Sequence, residues 1–390
     1  MKIRSIEKVK NLSGRTVFLR VDFNVPLEKG RVREDYKIQA GLETIEFLAA
    51  RGARLVIATH LGEPQKPDSS YSTRPVAARL KALLKRPVRF LGTVSIEKTR
   101  AAISKLEPGG IIMLENLRFN PGEYNNDPVF AKSLASLADI YVNDAFAVCH
   151  RAQASVAAIK KYLPAYAGLL LAKEVRALYK VAKPKKPLVI VMGGAKIGTK
   201  APLIAKLLPA ASNILIGGAL ANNFFQFQGW EIGRSLADKD SAAVIKKFFA
   251  GRKLNTKIKL PLDVVVRDQK GKAKVVLPPD IKKTDTILDI GPKTIAAYAA
   301  AIRSAKTLVW NGPMGKYEEK AFKHGTLAIA SLIAARSSGR AYGLVGGGET
   351  IEALKLSQMA EYVDWVSTAG GAMLTYLGGG AMPGLKGIIS

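Results

Sequence analysis

Two kinds of strand end hold the residues that could do chemistry in this chain. In the second half, five apolar runs finish in glycine: Val189-Ile190-Val191-Met192-Gly193-Gly194, Ile214-Leu215-Ile216-Gly217-Gly218, Leu308-Val309-Trp310-Asn311-Gly312, Leu344-Val345-Gly346-Gly347-Gly348 and Thr368-Ala369-Gly370-Gly371. Glycine lets a backbone come close to something large and polar, and a following helix aims its first N–H groups at the same point, which favours an anion. Five such ends read as a nucleotide phosphate site on a parallel sheet. In the first half the runs finish in polar groups instead: Asp22 and Asn24, His60, Glu115 and Asn116, Asn143 and Asp144. Arg118 and Arg151 each follow a strand end. Two arginines beside one crevice suit a phosphate or a carboxylate through forked hydrogen bonds. One half offers side chains to its ligand, the other backbone.

The individual motifs differ in specificity. Gly193-Gly194-Ala195-Lys196-Ile197-Gly198-Thr199-Lys200 nearly matches a P-loop, but Thr-Lys stands where that motif needs Lys followed by Ser or Thr. Lys200 therefore falls one residue late and points elsewhere, and Pro202 suits the first turn of a helix. A plain strand-to-helix turn with two surface lysines is the competing reading. In Gly346-Gly347-Gly348-Glu349-Thr350, Glu349 could hold magnesium and Thr350 could reach a phosphate. An acid in a helix first turn also suits the helix dipole with no metal at all. Asn311-Gly312-Pro313-Met314-Gly315, with Glu318 beyond, is a rigid turn that either contacts a ribose or is only a turn. In Arg20-Val21-Asp22-Phe23-Asn24-Val25-Pro26, strand alternation places Asp22 and Asn24 on one face. His60, His150 and His324 show no metal-ligand spacing, no serine sits in a nucleophile elbow, and Cys149 reads as a packed residue.

The elements that must position these groups alternate. Strands are expected from Val17 to Val25, Arg54 to Thr59, Ile111 to Leu114 and Ile140 to Val142, with helices over Tyr36 to Ala50 and Pro75 to Leu84. Strands alternating with helices argue for parallel α/β sheets, whose ligands lie beyond the carboxyl ends of the strands. Tyr162 to Ala182 carries a long helical pattern that Lys183-Pro184-Lys185-Lys186-Pro187 breaks, which reads as an interdomain helix and linker. At 390 residues the chain exceeds one comfortable core, so two domains are expected. Hydrophobic residues at 48% and charged residues at 23% fit a soluble globular protein. No run is long and apolar enough for a membrane span, the first residues do not resemble a secretory signal, and one cysteine excludes a disulfide framework. A cytoplasmic enzyme is expected. The net charge of +29 is spread along the chain, without the aromatic-interleaved basic stretches that stack bases. Anionic small substrates suit it better than nucleic acid as main partner.

These motifs, in this order, resemble the phosphoglycerate kinase family of bacterial type, from about residue 4 to the end. The matching segments are Arg20 to Pro26, His60-Leu61-Gly62, Leu114-Glu115-Asn116-Leu117-Arg118-Phe119, Val142-Asn143-Asp144-Ala145-Phe146, His150-Arg151-Ala152, Gly193 to Lys200, Val309-Trp310-Asn311-Gly312-Pro313, Gly346 to Thr350 and Ser367-Thr368. The resemblance implies two Rossmann-like α/β domains: residues 1–165 for phosphoglycerate and 186–382 for nucleotide. A hinge helix and linker over 166–185 would join them, and the tail 383–390 would return to the first. It implies a monomer that transfers phosphate reversibly between 1,3-bisphosphoglycerate and ADP, with magnesium, when the domains close on the substrates. Asp22, Phe23, Asn24, Lys37, His60, Leu61, Gly62, Glu63, Arg118 and Arg151 would then surround the phosphoglycerate. Gly193, Lys196, Lys200, Gly217, Gly291, Asn311, Glu318, Gly347, Gly348, Glu349 and Thr350 would surround the nucleotide, with Glu349 facing the metal. Lys37, Lys200, Gly370 and Gly371 would serve the transferring phosphoryl group.

The chain departs from the family pattern at four positions. Lys37 replaces an arginine, keeping the charge but losing the planar fork. Glu63 replaces an arginine and reverses a charge beside an anionic substrate. Glu349 replaces an aspartate with one more methylene, and Ala369 stands where glycine is usual. Two readings follow: a working kinase, or a homologue that has drifted into a nucleotide- or nucleic-acid-binding role.

Overall fold

The apolar, β-branched runs form strands whose side chains are buried on both faces, as parallel sheets covered by helices require. The computed structural model describes residues 1–239, 241–250 and 253–390. They divide into two units, Met1–Arg176 with Ala381–Ser390, and Ala177–Gly380. The division falls inside the helix Leu169–Ala182.

The first unit is built on six parallel strands in the order Arg89–Phe90, Ile111–Met113, Arg54–Ala58, Thr16–Val21, Ile140–Asp144, Ala165–Ala167. The chain winds one way from Thr16–Val21 and then crosses to its other side, so the switch point lies between that strand and Ile140–Asp144. Every residue of Thr16–Val21 is buried, including Arg20. The helix Tyr36–Ala50 covers the sheet with Ile38, Ile45 and Leu48, as its spacing predicts. The last residues are held to this unit: Lys2 and Ser390 exchange backbone hydrogen bonds, and Gly384 N–H donates to the Cys149 carbonyl at 2.8 Å.

Two expectations need correction here. The strand expected to reach Val25 ends at Val21. Asp22 Oδ1 accepts the Asn24 N–H at 3.3 Å, a local turn that diverts the backbone out of the sheet. The helical pattern from Tyr162 forms helix only from Leu169. Pro164 disfavours helix in the residue before it, Ala165–Ala167 joins the sheet edge, and Asp144 Oδ1 accepts the Leu171 N–H at the true helix start.

The second unit holds six parallel strands in the order Ile258–Lys259, Asn213–Ile216, Leu188–Met192, Thr307–Asn311, Tyr342–Gly346, Trp365–Ser367. Numbered within the sheet, this is the 3-2-1-4-5-6 order of dinucleotide-binding folds. The five runs that end in glycine occupy five adjacent places, so their glycines share one edge. A three-stranded antiparallel sheet, Ala273–Val276, Val264–Arg267 and Thr286–Ile290, adds to this unit. Pro202 stands inside the helix Ile197–Leu207 and not in its first turn, because the helix starts directly after Lys196.

Candidate functional site

In the first unit, the site starts from two buried arginines. Arg20 projects from the middle of the sheet and is fully buried. Its Nε donates to Ser155 Oγ at 2.8 Å, and Glu123 lies 3.9 Å away, itself held by Ser155. Its Nη2 lies 3.2 Å from His60 Nδ1. A guanidinium can only donate, so Nδ1 accepts and the His60 proton sits on Nε2. Burial, and then the surrounding Arg20, Arg118, Lys37 and Arg151, hold the His60 pKa well below its usual value. His60 is therefore a neutral hydrogen-bond donor, not a cation.

Arg118 is 2% exposed. Asn116 places it: its side-chain oxygen accepts the Arg118 backbone N–H, and its amide nitrogen bonds the carbonyls of Leu61 and Tyr71. Arg118 Nη1 donates to the Gly62 carbonyl at 2.5 Å, and its guanidinium lies 5.2 Å from the Tyr124 ring centre. Nε and Nη2 are buried with no partner. Burial lowers the pKa of Arg118 but cannot bring an arginine near neutrality. A permanent buried cation with two unpartnered donor atoms suits an anion. Around it, Lys37 bonds Asp22 Oδ2 at 2.8 Å, Asn24 Oδ1 accepts the Gly62 N–H at 2.9 Å, and Arg151 bonds Glu63 Oε1 at 2.8 Å. Asp22, Asn24, Lys37, His60, Gly62, Glu63, Arg118 and Arg151 thus belong to one bonded or mutually charged cluster. Phe23 and Leu61 are neighbours in sequence, but their side chains lie in the hydrophobic core.

In the second unit the glycines split into two groups. A Cβ on Gly193 would run into the Pro313 carbonyl, and one on Gly312, which has φ +93°, would run into the Gly193 backbone. A Cβ on Gly370 would lie 2.8 Å from Gly347 Cα. These glycines let one loop backbone lie on the next. Several of the strand-end glycines use their donors internally: Gly193 N–H to Asn311, Gly194 to Pro313, Gly217 to Met192, Gly218 to Met314 and Gly291 to Asp263. Asn311 Nδ2 bonds the Gly346 carbonyl, and Thr350 Oγ1 accepts the Gly312 N–H, so both brace the loops. A Cβ on Gly198, Gly348 or Gly371 would meet nothing.

The helix N-termini divide the same way. That of Pro292–Ser304, after Gly291, is filled by the Asp263 carboxylate, which accepts the Lys293 and Thr294 N–H groups. That of Gly218–Phe227 is bonded to backbone, and Asp238 accepts the Ile197 N–H. Gly348–Leu356 and Gly370–Leu377 begin after Gly347 and Ala369, neither of which has a side-chain acceptor. Neither N-terminus is capped by the side chain of its own N-cap residue, an arrangement that suits an anionic ligand. Lys200 is 8% exposed, and a Cβ on Gly194 would lie 2.8 Å from its Nζ and 3.7 Å from Glu349 Oε2. Burial lowers its pKa, partly offset by Glu349 and Asp238. Lys196 is exposed just before that helix.

Beside these termini lies a largely apolar pocket of about 240 Å³, lined by Gly194, Ala195, Gly218, Ala219, Leu236, Val264, Leu288, Asp289, Met314, Gly315, Glu318 and Glu349 among others. Its size and lining suit a flat aromatic group, with Glu318 and Glu349 as acceptors. Among the described residues no three His, Cys, Asp or Glu side chains gather as a metal site, and no helix is long and apolar enough to cross a membrane. One carboxylate, Glu349, beside open helix N-termini fits a magnesium ion that takes its remaining ligands from phosphates and water.

Sequence reasoning missed Arg20, Glu123 and Tyr124, which hold or flank the first cluster, and Leu288 and Asp289 in the pocket wall; it named Asn116 only as a polar strand end and Gly315 only as part of a turn. Arg20 had a signal: it is the one charge in the apolar run Val17-Phe18-Leu19-Arg20-Val21. So did Asp289, an acid in Ile287-Leu288-Asp289-Ile290 just before Gly291.

The model of the family described as phosphoglycerate kinase matches residues 6–380. The phosphoglycerate kinase of Moorella thermoacetica is 44% identical over 384 residues, covering 96% of each chain. That of Methylorubrum extorquens is 42% identical over 392 residues, covering 99% of this chain and 98% of its own. Among solved structures, phosphoglycerate kinase from Coxiella burnetii superimposes with a TM-score of 0.86 at 38% identity, covering 99% of this chain and 98% of that one. The enzyme from Pyrococcus horikoshii gives 0.83 at 30% identity, covering 98% and 97%. With its two parallel sheets, its cationic cluster and its glycine-edged pocket, the chain belongs to the phosphoglycerate kinase family.

Proposed function

We propose that this protein moves a phosphoryl group between ATP and the carboxylate of 3-phosphoglycerate, reversibly, acting as a cytoplasmic monomer with magnesium. The observation that carries the reading is the buried Arg118 guanidinium, whose Nε and Nη2 have no partner among the described residues and suit an anion. Its neighbours match a small phosphorylated acid. Arg151 and Lys37 add positive charge, the His60 Nε2–H donates without adding any, and Asp22 and Asn24 can accept from a hydroxyl.

In the second unit, the apolar pocket takes the base, and Glu318 suits the ribose hydroxyls. The open N-termini of Gly348–Leu356 and Gly370–Leu377 suit the phosphate chain. Gly193, Gly217, Gly291, Asn311 and Thr350 shape that site by holding its loops together. Magnesium, when bound through Glu349, supplies charge neutralisation on the phosphates. Lys200, buried and cationic, steadies the group in transit, and Gly370 and Gly371 present backbone donors to it.

In the transfer, a carboxylate oxygen of 3-phosphoglycerate forms the new bond to the γ-phosphorus and the bond to the bridging oxygen of ADP breaks. No proton and no covalent enzyme intermediate are needed. Catalysis therefore consists of positioning and of balancing charge on the three peripheral oxygens. Lys37 balances that charge from the phosphoglycerate side and Lys200 from the nucleotide side. The test is ADP formation from ATP, 3-phosphoglycerate and magnesium by the purified protein. Turnover is expected, and its absence at millimolar substrates would refute the proposal.

A further inference from the structure

One acid stands where the cationic cluster needs none. Glu63 follows Gly62, whose carbonyl is held by Arg118. Its Oε1 lies 2.8 Å from Arg151 Nη1 and 3.7 Å from Arg118 Nη1. A single carboxylate oxygen thus reaches both guanidinium groups. The other two nitrogens of Arg118, Nε and Nη2, are buried and have no partner among the described residues. Glu63 therefore does not plug the anion site. It engages Arg151 and places a negative charge at the rim. Arg151 bonds no other carboxylate among the described residues, so an anion that recruits Arg151 must displace Glu63 or share with it. Glu63 and Arg151 side chains are 62% and 43% exposed, so either can swing away without disturbing the core. The hydrogen bond and charge of Arg151 hold the Glu63 carboxyl below its ordinary value, which keeps it ionised at neutral pH.

We propose that Glu63 is an internal competitor for the acid substrate, a carboxylate that engages Arg151 and weakens phosphoglycerate binding. This rests on the assignment of Arg118 and Arg151 to 3-phosphoglycerate. Glu63 acts on binding of the anion and leaves the nucleotide untouched. Its effect is modest because an exposed pair is well screened, and it fades as salt rises.

The experiment compares the full-length protein with Glu63→Gln, which keeps shape and removes charge. The KM for 3-phosphoglycerate is expected to fall about two- to fivefold, the range an exposed pair supports. The Kd from calorimetry should fall by the same factor, with the change in KM rather than kcat and an unchanged KM for ATP. The gap between the two proteins should narrow as potassium chloride is raised. An unchanged KM and Kd would overturn the proposal. A raised KM would also overturn it, because it would make Glu63 a positioner of Arg151. If the wild-type protein neither binds nor turns over 3-phosphoglycerate, the assignment beneath the proposal fails, and calorimetry on the wild type alone shows it.

Discussion

The carboxyl edges of the two parallel sheets, where the proposed function places its two anionic substrates, are built of opposite materials. In the first unit the strand ends carry long charged side chains. These hold one another: Lys37 with Asp22, Arg151 with Glu63, Arg20 with His60 and Ser155. In the second unit the strand ends carry almost no side chain, and backbone lies on backbone at Gly193, Gly312, Gly347 and Gly370. A side-chain site can be tuned by one substitution, but its partners must be exchanged when ligand enters. A backbone site is already shaped, but its glycines tolerate little. Selectivity for a small acid suits the first material, and a phosphate chain common to many nucleotides suits the second.

The comparison breaks first at Arg118. Arg118→Ala removes a buried cation two of whose donor atoms have no partner among the described residues. It should lower kcat/KM for 3-phosphoglycerate by about 100-fold or more, the usual consequence of truncating a buried charged partner. Steady-state kinetics in each substrate would show this, and a loss seen equally in KM for ATP would mean that the two sites are not chemically separate.

Next come the two classes of glycine. Gly312→Ala meets the Gly193 backbone and a φ of +93°, so it should destabilise the protein by on the order of 2–4 kcal/mol in denaturant melts. Gly371→Ala faces open space in a helix first turn and should leave stability within about 0.5 kcal/mol while raising KM for ATP. Equal destabilisation by both would erase the distinction between packing and ligand-facing glycines.

A smaller effect is expected at Lys37. Lys37→Arg restores a planar fork suited to phosphoryl oxygens and should raise kcat a few-fold in the same assay. A lower rate would mean that the Lys37–Asp22 pair is itself the productive arrangement.

A separate effect, on stability and not on binding, concerns pH and the pocket wall. Burial raises Asp289 from 3.8 to about 7, although the N–H groups of Gly325 and Ile290 pull it down. The folded state thus keeps a proton that the unfolded chain releases, so stability falls as pH rises from about 4 to about 7. Asp289→Asn should flatten that part of a Tm-against-pH curve, and an unaltered slope would place the titration elsewhere.

Much of this was legible in the sequence, for a physical reason. Alternating apolar runs dictate parallel sheets, and residues that end strands must lie at one edge. So the polar ends of the first unit and the glycine ends of the second could be placed together without coordinates. What each glycine touches could not be. Gly193 and Gly371 look alike in a string of letters, yet one is covered by the Pro313 carbonyl and the other is open. The occupancy of helix N-termini was hidden likewise, since Asp263 fills the one after Gly291 from thirty residues away in the chain. Arg20 was readable as an anomaly, but its role depends on Ser155, Glu123 and His60, which only folding brings together. The end of the first strand at Val21 was missed because a side-chain bond from Asp22 to the Asn24 backbone outweighed β-alternation.

The most direct test of the two-material account is calorimetric binding of 3-phosphoglycerate and of magnesium-ADP to the full-length protein and to Arg118→Ala and Gly371→Val. The account predicts a double dissociation: Arg118→Ala loses 3-phosphoglycerate and keeps ADP, and Gly371→Val keeps 3-phosphoglycerate and weakens ADP. Loss of both ligands in either variant, or of neither in both, would contradict it.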